Sequence, residues 1–353
     1  MAAEYIEVEN DIDKAFQAAY DKGWTDGLPI IPPTDERVAA MLATVDRKPS
    51  DVIGLLPPRN GEANVEKVAV SAVMAGCLPA YFPVVVAAIE AAADPAVYLR
   101  GINSTTNPVA PLLIINGPIR KEIEVNCSWS VMGPGPRANA TIGRAFSLCM
   151  INIAGRIPGE VTKSTHAAPG RYSWCIGEYE EKSPWEPLHV ERGFKKEDST
   201  VTLLAPTGHI NALDMLGQTG DECLTVVASC LSLMSSNNFF NRYGEGDMGV
   251  ILCPAHADVV HRDIGSKQKA KEALLEKTSR WIRVAELTPH LRTAVEGLNP
   301  GTKQIEGEFA RLAARADQFV LVVAGGLGGY HSVALPTFGG PQTITRVIKA
   351  KKR

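Results

Sequence analysis

Apolar positions along the chain follow two rhythms, and their alternation predicts the fold class. Over residues 11–22 they recur at helical spacing, with Ile12, Ala15, Phe16 and Ala19 on one face and Gly23 as the stop. The next stretch, Trp24-Thr-Asp-Gly-Leu-Pro-Ile-Ile-Pro-Pro-Thr34, is not helical. Its prolines fix an extended course, Asp26-Gly27 marks a turn, and Thr34 is placed to N-cap a helix over 35–45. A short strand over 52–56 and helices over 65–75 and 82–93 follow. Pro111-Leu-Leu-Ile-Ile-Asn-Gly-Pro118 then has the continuous apolar pattern of a strand buried on both faces. Residues 137–154 form the clearest helix, because Ala138, Ile142, Ala145, Phe146, Cys149 and Ile153 make one stripe. Beyond it come strands over 172–177 and 201–204, a helix over 223–235, and a strand over 249–253 running into a helix over 255–263. A charged helical stretch over 267–284 precedes a last strong strand over 319–324, which opens into the glycine-rich run Gly325-Gly-Leu-Gly-Gly-Tyr-His-Ser332.

Strands alternating with helices predict an α/β fold. The order Leu55-Leu-Pro-Pro58, helices, strand is echoed by Leu203-Leu-Ala-Pro206, helix, strand. Two related α/β halves sharing a core would explain the echo; chance recurrence of a common order is the plainer account. The expected organisation is N-terminal helices and a proline-rich strap over 1–50, a first α/β half over 51–170 and a second over 171–353.

The composition narrows the functional classes. At 353 residues the chain is long enough for two structural units around a large core. Its 36 basic and 39 acidic side chains give a net charge of -3, and only residues 349–353 cluster basic groups, so nucleic acid is not an expected partner. No stretch approaches the roughly 18 apolar residues of a membrane span, and the first ten residues have no signal-peptide pattern; a cytoplasmic protein is expected. Seven cysteines without a CxxC pair read as reduced, mostly buried thiols. The 31 glycines and 24 prolines imply many shaped loops, where sites usually sit.

Five segments carry candidate chemistry. Gly133-Pro-Gly-Pro-Arg-Ala-Asn-Ala-Thr141 leads into a helix whose N-terminal amides can face an anion; Arg137 would hold a carboxylate, with Asn139 and Thr141 as neutral donors. Asn103, Thr105 and Thr106 lie in the polar run over 101–108, which either closes a turn or offers neutral donors to a ligand. Glu186, His189 and Glu191 beside Trp185 group carboxylates with an imidazole, as acid/base catalysis requires. Metal ligation is the less favoured use of that trio, because Pro184 and Pro187 prevent the regular helix such spacing needs. Cys253-Pro-Ala-His256 with His261 and Asp263 nominally offers metal ligands at a strand-to-helix turn. The two histidines are rotated by about 140° on a helix, however, so a helix-start histidine is the expectation. Tyr330, His331 and Ser332 follow a buried strand, a common ligand position in α/β proteins. Asp26, in a strap suited to lie over a pocket, would act as a second acid/base group or orient an arginine such as Arg137.

The strap motif, Met74-Ala-Gly-Cys-Leu-Pro-Ala-Tyr-Phe-Pro83, Gly133-Pro-Gly-Pro-Arg-Ala-Asn-Ala-Thr-Ile-Gly-Arg144, Ser183-Pro-Trp-Glu-Pro-Leu-His-Val-Glu-Arg192 and the closing Val323-Ala-Gly-Gly together resemble a bacterial protein family. That family is associated with, or related to, proteins bearing a selenocysteine-Gly-Ser-Cys (UGSC) motif. The resemblance spans nearly the whole chain and implies an enzyme, with a hint of thiol or selenol chemistry. The sequence contains no Cys-Gly-Ser-Cys, so such a redox role would need a partner.

These readings lead to an enzyme acting on a small anionic, carboxylate-bearing metabolite by acid/base chemistry, lyase- or hydrolase-like, without an organic cofactor. The alternatives are a subunit of a thiol or selenol redox assembly and a non-catalytic ligand-binding protein. Association into a homo-oligomer, or with a redox partner, is compatible with each.

Overall fold

The computed structural model describes residues 4–234, 236–240, 246–298 and 305–351. Helix α1 (Ile12–Asp21) begins where Asp11 accepts the Lys14 amide at 2.9 Å, and Gly23 beyond its end takes a φ of 70°. The strap runs extended into α2 (Asp35–Leu42), which stops short of residue 45. Asn64 caps α3 (Val65–Ala75) and left-handed Gly76 closes it; α4 (Phe82–Ala92) follows. Residues 99–104 form α5 (Leu99–Ser104), so the run expected to turn over 101–108 is helical in its first half.

The chain continues through β1 (Leu112–Asn116), α6 (Arg137–Asn152), β2 (Cys175–Gly177), the single turn α7 (Leu188–Glu191) and β3 (Thr200–Leu204). Next come β4 (Ile210–Leu213), α8 (Gly220–Leu231), β5 (Met248–Leu252), α9 (Pro254–Ile264) and α10 (Lys267–Ser279). A capping box of Thr219 and Glu222 starts α8 three residues before the expected position, and it ends at Leu231; residue 235 of the expected helix lies outside the described residues. After α11 (Pro289–Leu298) come β6 (Phe319–Val323), β7 (His331–Leu335) and β8 (Ile344–Val347).

The fold is α/β, with two four-stranded mixed sheets. Their orders are β8-β3-β1-β2 and β6-β5-β7-β4. Each has one parallel pair, β1 with β2 and β5 with β6, and is otherwise antiparallel. The two therefore share one pattern, but each takes a strand from the other's stretch of chain: β4 follows β3 yet joins the second sheet, and β8 follows β7 yet joins the first. The counterpart of β3 in this arrangement is β7, so Leu203 to Pro206 corresponds to the Leu335-Pro336 stretch rather than to Leu55 to Pro58. The latter begins in a separate hairpin of 52–56 with 61–64. Pro206 bridges Thr337, which joins the exits of β3 and β7.

Alternation along the strands sorts three cores into layers. Leu113 and Ile115 of β1, with Val201 and Leu203 of β3, pack under α3, α4 and α6. Val250 and Leu252 of β5, with Leu321 and Val323 of β6, pack under α8, α9 and α10. The other faces meet: Leu112, Ile114 and Leu204 of the first sheet share a buried cluster with Ile251, Val320, Val322 and Leu335 of the second. The result is four layers, helices, sheet, sheet, helices. Gly249 lets the sheets approach, since a Cβ there would stand 2.7 Å from Leu204 and 2.8 Å from Leu335.

Candidate functional site

Neighbouring parallel strands β5 and β6 open their carboxyl ends on the same side, the usual ligand position in such sheets. At that end Cys253 is not part of the strand, as the apolar pattern suggested, but the N-cap of α9. Pro254 takes the first helical position, where no amide hydrogen is needed, and His256 falls two positions further on. Antiparallel β7 lies beside β5 and supplies Ser332. The Ser332 hydroxyl accepts the Cys253 amide at 3.2 Å, stands 2.7 Å from His256 Nδ1 and lies 3.8 Å from Cys253 Sγ. The thiol itself points to the Gly329 carbonyl at 3.1 Å.

His256 Nε2 faces the Asp214 backbone carbonyl at 3.1 Å. A carbonyl only accepts, so that nitrogen carries the proton in the neutral ring and Nδ1 is left to accept from Ser332. Cys253, His256 and Ser332 are all buried. Burial opposes ionisation of Cys253, but the His256 ring and backbone amide outweigh it and hold the thiol below its ordinary range. Burial likewise disfavours the imidazolium, yet the Cys253 sulfur raises the His256 pKa above its usual value.

Asp214 follows β4 and is tied to the glycine-rich loop through its amide, which donates to the Tyr330 carbonyl at 3.1 Å. Its Oδ2 is buried without a hydrogen-bond partner. Cys223, on α8, faces the same point. One ligand-capable atom each from Asp214, Cys223 and His256 lies within 4.8 Å of the others. Burial and then the Asp214 carboxylate push the Cys223 thiol up to about 12. Exposed apolar side chains stand in the segments around this group: Leu213, Met215, Leu216, Leu327 and Tyr330. Trp129 covers Gly326 so closely that a Cβ there would meet its ring at 2.1 Å.

The residues singled out from the sequence divide. Ser332 and Tyr330 belong to this group, the Tyr330 ring lying 6.2 Å from the His256 imidazole; Ser332 lies in β7 and Tyr330 just before it, and exposed His331 bonds Asn211 at 2.9 Å. The trio at 186–191 is not assembled. His189 is fully buried with Nε2 3.5 Å from the Lys196 carbonyl and Nδ1 unpartnered, Glu186 is exposed, and Glu191 pairs with Lys267 and Lys271. Among the described residues no hydrogen bond joins His189 to either glutamate. Trp185 donates to the Gly265 carbonyl at 2.7 Å, pinning this segment to the end of α9.

At the start of α6, Arg137 bonds the Gly76 carbonyl at 3.0 and 3.2 Å, and the Thr141 hydroxyl turns back on the Arg137 carbonyl. Asn139 is buried between the 126 and 175 backbones. Asp26 pairs with Arg144, not Arg137, through two 2.8 Å contacts. Asn103 donates to the Pro57 carbonyl, Thr105 closes a turn onto the Asn107 amide, and Thr106 is exposed.

Comparison of the chain with family models, curated proteins and solved structures gives no match. Among the described residues no helix is long and apolar enough to cross a membrane.

Proposed function

We propose that this protein is an enzyme whose chemistry passes through Cys253 as a sulfur nucleophile. The observation that carries the reading is the hydroxyl of Ser332 placed between the Cys253 sulfur and His256 Nδ1, at the start of a helix. A thiolate there is supported by the helix N-terminus, and the serine offers a route for the thiol proton to the imidazole, whose tautomer the Asp214 carbonyl holds. In the proposed step the sulfur adds to an electrophilic carbonyl carbon of a small substrate, and the C=O electron pair moves onto oxygen. His256 takes up the thiol proton through Ser332, and the leaving group departs with that proton as the C=O re-forms. Positive-φ glycines at 325 and 328 shape the loop whose Gly329 carbonyl caps the thiol.

The exposed apolar side chains around the group favour a second reading, in which a partner protein docks there and exchanges a thiol, disulfide or selenol with Cys253.

Limited alkylation with iodoacetamide at neutral pH, mapped by mass spectrometry, tests both. Cys253 is expected to react ahead of the less buried Cys127 and Cys230, and Ser332→Ala to slow it by roughly 10-fold or more. Preferential labelling of Cys127 or Cys230, with Cys253 inert, removes Cys253 from the site. Turnover of small thiol-reactive esters without a second protein separates the enzyme from the docking reading.

A further inference from the structure

The Asp214 carboxylate and the Cys223 thiol have no part in the thiol reading, yet they stand together beside His256. They come from two elements separate from α9 in sequence, the residue after β4 and the first turn of α8. Both are directed at His256, and the atoms of the three residues converge within 4.8 Å. A carboxylate beside a buried thiol is a costly arrangement in the absence of a cation, because the thiol, pushed up to about 12, keeps its proton and is only a weak donor to the carboxylate. Asp214 Oδ2 shows the deficit directly: it is cut off from solvent and accepts no hydrogen bond. Gly217 stands where any side chain would strike that carboxylate, since a Cβ there would lie 1.8 Å from Oδ2.

We infer that Asp214, Cys223 and His256 form a binding site for a zinc-like divalent cation. Sulfur, imidazole nitrogen and a single carboxylate oxygen are the donors that borderline cations select, whereas magnesium and calcium take oxygen alone. Three protein ligands leave one position of a tetrahedron open, as in catalytic rather than structural zinc sites. The surroundings of His256 fit the role. When Nε2 binds a cation it gives up its proton and its bond to the Asp214 carbonyl; Nδ1 then carries the proton and must find an acceptor, and the Ser332 oxygen already lies 2.7 Å from it. Binding displaces the Cys223 proton to solvent. It also turns the Ser332 hydroxyl proton toward the Cys253 sulfur, so that the loaded site stabilises the thiolate instead of accepting its proton. The inference goes beyond the thiol reading and does not depend on it, because metal binding uses Cys223 and alkylation reads Cys253.

The test is a cobalt(II) titration of the chelator-treated full chain, followed by ultraviolet and visible absorption. One equivalent is expected to bind, giving the intense visible bands of a tetrahedral ion and a near-ultraviolet sulfur-to-metal charge-transfer band. Cys223→Ser should abolish the charge-transfer band. Asp214→Asn keeps the side-chain shape and should weaken binding on the order of 100-fold or more, as even changes outside the ligand set cost about 10- to 100-fold. Cys253→Ser should retain both features. Sub-stoichiometric binding by the native chain, unchanged binding by Asp214→Asn, or a charge-transfer band lost with Cys253 rather than Cys223 each overturns the site. Circular dichroism of every variant identifies loss of fold, and Asp214→Asn decides the matter if Cys223→Ser does not fold.

Discussion

Asp26 has a side chain only 4% exposed, and Arg144 binds both of its oxygens while also reaching the Leu28 and Pro29 carbonyls. That one pair clamps the proline strap to α6. Asp26→Asn removes the charge and leaves a largely buried guanidinium without its counter-ion, so a stability loss of about 1 to 3 kcal/mol is expected in urea unfolding, with Cys253 labelling of the folded protein unchanged. A change in labelling without a stability loss would return Asp26 to the site. The sequence made the strap and its acid legible but could not choose the arginine, because 137 and 144 are two helical turns apart and project from the same side of α6. Cys253 and His256 were visible as a pair at a strand-to-helix turn. Their use depends on the N-cap position, which places residue i beside i+3 and makes the five-residue spacing to His261 irrelevant. Asp214 and Cys223 had no such signal, since the place of β4 in the second sheet brings Asp214 to α9 and the packing of α8 on α9 brings Cys223 there.

Among the elements, the five strands buried at every position, β1, β2, β3, β5 and β6, were legible, with β1, β5 and β6 the clearest apolar runs. β4, β7 and β8 were not, because they mix polar with apolar residues and sit near glycine or proline. Their place is set by partners distant in the chain rather than by their own pattern. Contact between the sheets gives an element-scale prediction. Gly249→Ala puts a methyl group into Leu204 and Leu335, and overpacking of this kind costs about 1 to 3 kcal/mol. Thermal unfolding measures it; a melting temperature equal to that of the native protein would mean that the two sheets part easily. Thr219→Ala, which deletes the capping box of α8, is expected to cost about 1 kcal/mol and, by fraying the helix that carries Cys223, to weaken cobalt binding as well.

For the whole molecule, pH separates two kinds of carboxyl group. Glu178 is completely buried, and desolvation raises its pKa despite nearby Lys267 and its bonds from the Leu188 amide and Asn116. A raised folded-state value contributes stability below the unfolded value of about 4.3 and loses it as pH rises through the folded one. Glu178→Gln should therefore gain stability relative to the native protein between pH 5 and pH 8, as urea midpoints at both values would show; a constant difference would contradict the burial. Glu181 has the opposite sign. Burial raises its pKa, but Arg120 and Lys121 bring it down to about 2, so its contribution is present above about 4.3 and lost on acidification toward 2. Glu181→Gln should flatten that acid limb, modestly, because the side chain is 39% exposed.

The crossing of β4 and β8 between the sheets also has a consequence in time. On the ribosome β3 emerges well over a hundred residues before β8, and until then the edge that β8 will cover has no partner. β4 waits almost as long, since among the described residues its one neighbour in the sheet is β7. Neither sheet can be completed from the nascent N-terminal portion alone. Assembly is therefore a late event that exposes two strand edges throughout synthesis, and the growing chain, not the finished one, is where this architecture is most prone to aggregate and most in need of a chaperone.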